Sequence, residues 1–112
     1  MFERKARLKT RAAAFVGRRG KSVFSPNLRV KWLPARDKIT RATVVVPLAF
    51  DKRSTRRNRV KRQIREILRP LLASLLYPTE LMVFVSRGAA GKKFTELKSE
   101  LEELLRKARL IG

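Results

Sequence analysis

The residues that usually do chemistry are mostly missing from this sequence, and their absence narrows the field. There is no histidine and no cysteine, so imidazole cannot act as a general base and no thiolate can attack a substrate or bind zinc. The nine carboxylates are scattered, and four of them (Glu96, Glu100, Glu102, Glu103) fall on one C-terminal segment. None is spaced like a paired acid and base or a two-metal site. What the chain concentrates instead is cationic nitrogen. Lys52 to Arg69 carries nine basic residues against one acid, Glu66, a net of +8, whereas Glu96 to Arg109 has four of each and balances to zero. Both segments carry an apolar stripe, so packing does not demand the difference. The chemistry open to the first is electrostatic: forked guanidinium contacts to phosphate and stacking on splayed bases.

The whole chain points the same way, with 29 basic against 9 acidic residues and a net charge of +20. Such a charge repels itself within a small fold, which favours a polyanionic partner. Nucleic acid leads, an anionic membrane surface comes second, and a merely solvated basic face third. Bases also crowd the first turns of the Lys52–Arg69 segment, where a helix dipole is already positive and acids would be preferred. That placement suits an incoming phosphate. The candidate RNA-binding residues are therefore Lys52, Arg53, Arg56, Arg57, Asn58, Arg59, Lys61, Arg62, Arg65 and Arg69. Lys92-Lys93, on a glycine-rich loop, reads equally as a backbone-phosphate contact or a solubilising pair. Protein-based catalysis, a membrane partner and a small-molecule substrate are not expected. No apolar run approaches a membrane span, and the basic N-terminus lacks the apolar core of a secretory signal. A cytoplasmic location fits the missing cysteines.

The elements that must position these residues follow from periodicity. At 112 residues and 44% hydrophobic content the chain suits one domain, 1–112, with residues 1–6 as a mobile basic arm. Leu8, Ala12, Phe15 and Val16 have helical spacing, and the helix should end by Gly17 to Gly20 with glycine in a left-handed cap. Lys21–Phe24 and Leu28–Trp32 read as strands around the turn Ser25-Pro26-Asn27, the second alternating apolar residues with Arg29 and Lys31. The β-branched run Thr40–Val46 reads as the central strand. Ser54 or Thr55 should cap the basic helix, whose stripe is Val60, Ile64, Ile67, Leu68, Leu71, Leu72 and Leu75. Asn58, Arg62, Arg65 and Arg69 lie opposite that stripe. Pro70 should kink or end the helix, with Leu71–Leu76 as a second helical piece. Glu80–Ser86 is a short buried strand. Thr95 should cap a last helix with a stripe of Phe94, Leu97, Leu101, Leu104, Leu105 and Ala108. Phe15, Phe24, Trp32 and Phe84 all read as core, and Trp32, flanked by Arg29 and Lys31, is the best exception as a stacking platform.

The run Arg57-Asn58-Arg59-Val60-Lys61-Arg62-Gln63-Ile64-Arg65-Glu66 closely resembles the hallmark of the bacterial ribonuclease P protein component, R-N-R-x-K-R-x-x-R-E opening a helix, and matches every defined position. The surroundings agree in order: a basic first helix, a glycine then Ser-Pro-x-Leu before a strand, an apolar strand ending at Arg87 and an acidic-basic final helix. The resemblance implies an α+β two-layer sandwich with a mixed sheet of about four strands in the order α-β-β-β-α-β-α. It also implies a left-handed βαβ crossover through the hallmark helix, against the right-handed default. The function it implies is that of a subunit bound to a large catalytic RNA that removes the 5′ leader from precursor tRNA. In that family the RNA is the catalyst, with divalent metal ions, and the protein helps bind substrate and metal; Mg2+ is expected for the RNA-catalysed reaction, and no cofactor is assigned to the protein. The hallmark residues Arg57, Asn58, Arg59, Lys61, Arg62 and Arg65 would contact the catalytic RNA. A leader-binding cleft on the sheet would draw on Phe15, Trp32, Arg29, Lys31 and Arg87. Where family members commonly carry two lysines, this chain has Leu48-Ala49, with Lys52 and Arg53 the nearest replacements. Charge alone would equally suit a ribosomal or general structural RNA-binding protein.

Overall fold

Alternation with a period of two builds the sheet, and two helical stripes cover it. The computed structural model describes residues 7–112, so the basic arm expected at 1–6 lies outside the described residues. The elements are α1 (Thr10–Arg19), β1 (Lys21–Phe24), β2 (Leu28–Pro34), β3 (Arg41–Val45), α2 (Ser54–Ala73), β4 (Thr79–Val85) and α3 (Phe94–Lys107). Single 3₁₀ turns lie at Leu48–Phe50 and Arg87–Ala89. The spatial strand order is β1-β2-β4-β3. β2 pairs antiparallel with β1 and β4, and β3 pairs parallel with β4, so β3-α2-β4 is a crossover unit in a mixed sheet.

The register sorts side chains by face. Val23, Val30, Val83 and Val44 form one row across the four strands, and Trp32, Leu81 and Ala42 stand in the next. These rows meet Ile64, Ile67 and Leu68 of α2 and Leu97, Leu101, Leu104 and Leu105 of α3 in the main core. Val60, Leu71, Leu72 and Leu75 pack at its margin, so the whole α2 stripe is used. The other face carries Phe24, Arg29, Phe84 and Val45 in one row and Ser22, Lys31, Met82 and Thr43 in the next. Helix α1 covers only part of it, packing Val16 with Leu8 and Met82 in a smaller cluster.

Several expectations are corrected. Thr40–Val46 supplies an edge strand, because β2 and β4 take the centre; β-branched content reports half-burial and says nothing of neighbours. The free side of β3 is partly covered by the preceding chain, with the Leu8 N–H donating to the Ala42 carbonyl at 3.1 Å. Gly20 is extended (φ −67°, ψ 150°) rather than left-handed. Its glycine is required by close approach, since a Cβ there would lie 2.5 Å from the Val16 carbonyl oxygen. Neither Ser54, Thr55 nor Thr95 caps a helix; Arg53 and Lys93 hold the cap positions. Glu96 accepts from the Lys93 N–H at 3.1 Å instead. Pro70 does not end α2, which runs on to Ala73, so Leu71–Leu76 is its last turn and exit rather than a separate helix. Pro70 is exposed, where the missing N–H breaks one bond and leaves the apolar stripe intact. Phe94, at the first position of α3, is 43% exposed and lies off the core stripe.

Ile67 is 1% exposed, and truncating it should leave a cavity under the sheet. Ile67→Ala is expected to lower unfolding free energy by about 2–5 kcal/mol in urea titration. Gly20→Ala should also destabilise, in the same assay, because the new methyl group meets backbone on two sides.

Candidate nucleic-acid interface

Most cations of α2 take no part in packing the core. With its apolar stripe consumed by the sheet, the helix turns Arg56, Asn58, Arg59, Arg62 and Arg69 to solvent, with Lys61 and Arg65 half-buried. Two shallow recesses share Asn58 and Arg62; Thr55, Arg56 and Arg59 complete one, and Lys61, Arg65 and Glu66 the other. Among the described residues, Arg59, Lys61, Arg62 and Arg65 form no ion pair with a carboxylate, whereas Arg69 reaches Glu66 at 3.2 Å. Burial, and to a lesser degree the neighbouring Arg7 guanidinium, hold Arg65 below the usual arginine range. Two like charges brought this close sharpen the local positive potential.

The entrance to α2 is built by charge instead of a hydroxyl cap. Asp51 Oδ1 accepts from the Arg53 N–H at 2.9 Å. Its carboxylate also lies 3.5 Å from the Arg53 side chain and 3.7 Å from that of Arg56. The Arg53 N–H first, then the charges of Arg53 and Arg56, hold the Asp51 carboxyl below its ordinary value. Arg57 is half-buried, and its guanidinium donates to the carbonyls of Asp51 at 2.7 Å and Lys52 at 2.9 Å. Arg57 therefore braces the loop that enters the helix, while Lys52 and Arg53 project from that loop, both exposed. Leu48 and Ala49 lie on the preceding 3₁₀ turn, with Leu48 66% exposed. Around the corner Arg56 and Arg59 share a recess with Lys92, which the sequence alone did not connect to α2.

A second cationic surface lies on the sheet face that α1 leaves open. Phe24, Pro26, Arg29, Lys31, Pro47 and Phe84 line a groove of about 420 Å³. The Arg29 guanidinium stands 5.5 Å from the Phe24 ring centre and the Lys31 ammonium 5.6 Å from that of Phe84. Lys31 also donates to the Gly17 carbonyl at 3.1 Å, which ties the end of α1 to the sheet. Cations alternating with aromatic faces are the arrangement that single-stranded nucleic acid uses, phosphate on one and base on the other.

Of the residues proposed for a leader cleft, only Arg29 and Lys31 line this groove. Trp32 is corrected: it is 6% exposed within the main core, under the α2 and α3 layer. Adjacent residues of a strand face opposite ways, so Arg29 and Lys31 on one face put Trp32 on the other. Phe15 is half-buried in a separate recess beside Lys9 and Arg11, with the Arg36 guanidinium 4.8 Å from its ring centre. Arg87 is exposed on the turn beyond β4, outside the groove lining. Phe24, Phe84, Pro47 and Arg36 were missed. Phe24 had a legible signal, because it directly precedes the Ser-Pro-Asn turn, where a strand's apolar residue is least protected. Phe84 and Pro47 depended on pairing between distant strands, and Arg36 on the approach of the chain beyond β2 to Phe15 of α1.

Fold and site together define a small α+β protein with two cationic surfaces suited to a polyanion, one a helix face and the other an aromatic-lined groove. The comparisons with known proteins narrow that class. The family model described as ribonuclease P matches residues 2–109, and the chain belongs to that family. It is similar to the ribonuclease P protein component of Thermus scotoductus, 40% identical over 95 residues covering 85% of this chain and 53% of that one. It is also similar to that of Xylella fastidiosa, 36% identical over 110 residues covering 95% and 78%. Against three of the curated relatives the matched region spans 51%, 53% and 62% of their length. The Staphylococcus aureus RNase P protein superposes with a TM-score of 0.84, covering 96% of this chain and 98% of that chain at 20% identity, a likeness of fold.

The Asp51 contacts predict a pH signature. A carboxylate depressed in the folded state contributes stability above its unfolded pKa of about 3.9 and loses it as the pH falls through the folded value. Asp51→Asn should therefore melt below the wild type at pH 7. Thermal melts across a pH series should show that gap closing below about pH 4.

Proposed function

We propose that this chain is the protein subunit of a ribonuclease P, binding a large catalytic RNA and the 5′ leader of precursor tRNA and so assisting endonucleolytic removal of that leader. The observation that carries this reading is the hallmark run on α2. Its apolar positions are spent on the core, and Asn58, Arg59, Lys61, Arg62 and Arg65 are left facing outward without carboxylate partners among the described residues. In this proposal that face takes the phosphates of the catalytic RNA, helped by Lys52, Arg53, Arg56 and Arg69. The sheet groove takes the single-stranded leader, with Phe24 and Phe84 offered to bases and Arg29 and Lys31 to phosphates.

Catalysis is assigned to the RNA. The chain has neither histidine nor cysteine. In this reading the reaction's Mg2+ serves the RNA-catalysed step. Among the described residues no helix is long and apolar enough to cross a membrane, and the reading places the complex in the cytoplasm.

Adding the purified chain to its cognate RNA at low magnesium should stimulate 5′ maturation of precursor tRNA; an unchanged cleavage rate would count against the reading. The α2 face can be tested separately by salt titration. Replacing Arg62 with glutamine should weaken RNA binding and flatten the log–log salt slope by about one, whereas an unchanged slope would mark that face as solvated only.

A further inference from the structure

The groove that we assign to the leader has one exposed wall, and its position depends on a carboxylate from the opposite side of the molecule. Phe24 is 66% exposed, so little packing holds its ring; besides its pairing with Arg29 of β2, its position is set by the turn Ser25-Pro26-Asn27 immediately after it. That turn is fastened by Glu100 of α3, which is half-buried and contributes nothing to the groove lining. The Ser25 hydroxyl donates to Glu100 Oε2. The Asn27 N–H donates to the same oxygen at 3.1 Å, and the Asn27 side-chain amide donates to Oε1 at 2.7 Å. On its other flank the turn is tied to the end of β4, where the Ser86 hydroxyl donates to the Pro26 carbonyl at 3.0 Å and the Ser86 N–H to that of Asn27 at 3.0 Å. Gly88 leaves room for the Asn27 side chain, since a Cβ there would come within 2.6 Å of Asn27 Oδ1.

From this arrangement we infer that Glu100 is a positioning residue for the groove: it sets the β1–β2 turn, and through it the Phe24 ring, so that a single-stranded leader meets a preformed wall. The inference rests on the leader-groove reading above and adds to it a residue that touches no RNA. Three donors converge on two carboxylate oxygens, and all three belong to the turn. Glutamine at 100 would keep one acceptor oxygen, which can serve the Ser25 hydroxyl and the Asn27 N–H, but would turn its N–H2 group toward the Asn27 side-chain N–H2, so that third bond is lost with donor facing donor. A preorganised wall matters because ordering a loop at the moment of binding would subtract from affinity.

The test uses the full chain assembled with its catalytic RNA and two precursor tRNAs, one with a long single-stranded leader and one trimmed to a single leader nucleotide. Glu100→Gln should raise the dissociation constant for the long-leader precursor roughly tenfold and leave that for the trimmed one at the wild-type value. Ser25→Ala, which removes one of the three bonds, should shift it in the same direction by less. Thermal melts confirm that both variants fold. An equal loss on both precursors, or no loss on either from a folded variant, overturns the inference. Phe24→Ala run in parallel separates the two readings. If it is sensitive to leader length and Glu100→Gln is not, the Glu100 role fails while the groove stands. If Phe24→Ala is insensitive as well, the groove reading fails and the Glu100 role falls with it. On the Phe24→Ala background Glu100→Gln should add little, and a fully additive loss would refute action through the ring.

Discussion

The row Val23–Val30–Val83–Val44, closed over by Ile64, Ile67, Leu68 and the leucines of α3, is the contact on which the other features depend. A chain with net charge +20 has few places to put apolar side chains without also burying a cation, and burying a lone cation is costly. The solution is strict sorting. One phase of each strand and one stripe of each helix are apolar and face each other, and every buried residue but Thr79 among those described is hydrophobic. Cations are thereby forced onto the remaining surfaces, where their mutual repulsion makes a polyanion welcome.

That sorting explains why the two candidate RNA surfaces differ. On α2 the cations share a helix with the core stripe, so a rigid element projects them with fixed spacing; Arg57 turns inward to brace the entry loop and the rest stay outside. On the sheet the second phase is neither fully apolar nor fully polar. α1 covers the part near Met82 and Val16, and the uncovered part keeps Phe24 and Phe84 under Arg29 and Lys31. The turn at the rim of this groove is tied by Glu100 of α3 and by Ser86 at the groove's own edge.

Much of this was legible in the residues. The α2 stripe, the alternation of β2, the order of elements and the hallmark run all follow from local spacing, and each came through in the structure. The misreadings have physical causes. Trp32 was grouped with Arg29 and Lys31 by closeness in the chain, although a strand's own pleat separates them. Thr40–Val46 looked central because it is β-branched, yet strand neighbours are chosen by long-range pairing. Ser54, Thr55 and Thr95 have the hydroxyls that usually cap, but at both helix starts the bond seen runs from the N–H of the cap residue, Arg53 or Lys93, to a carboxylate, Asp51 or Glu96.

The sequence by itself determined the aliphatic stripes of α2 and α3, which helix carries the charge, and which family the chain resembles, because these depend on period and local run. Only the tertiary structure decided which aromatics remain open, how Lys92 comes to stand beside Arg56 and Arg59, and that Glu100 reaches the β1–β2 turn some 73 to 75 positions earlier in the chain. These are contacts between elements distant in sequence, fixed by strand register and helix docking, and no local pattern encodes them. The basic helix was readable from its residues alone, whereas the groove exists only where β1, β2 and β4 meet.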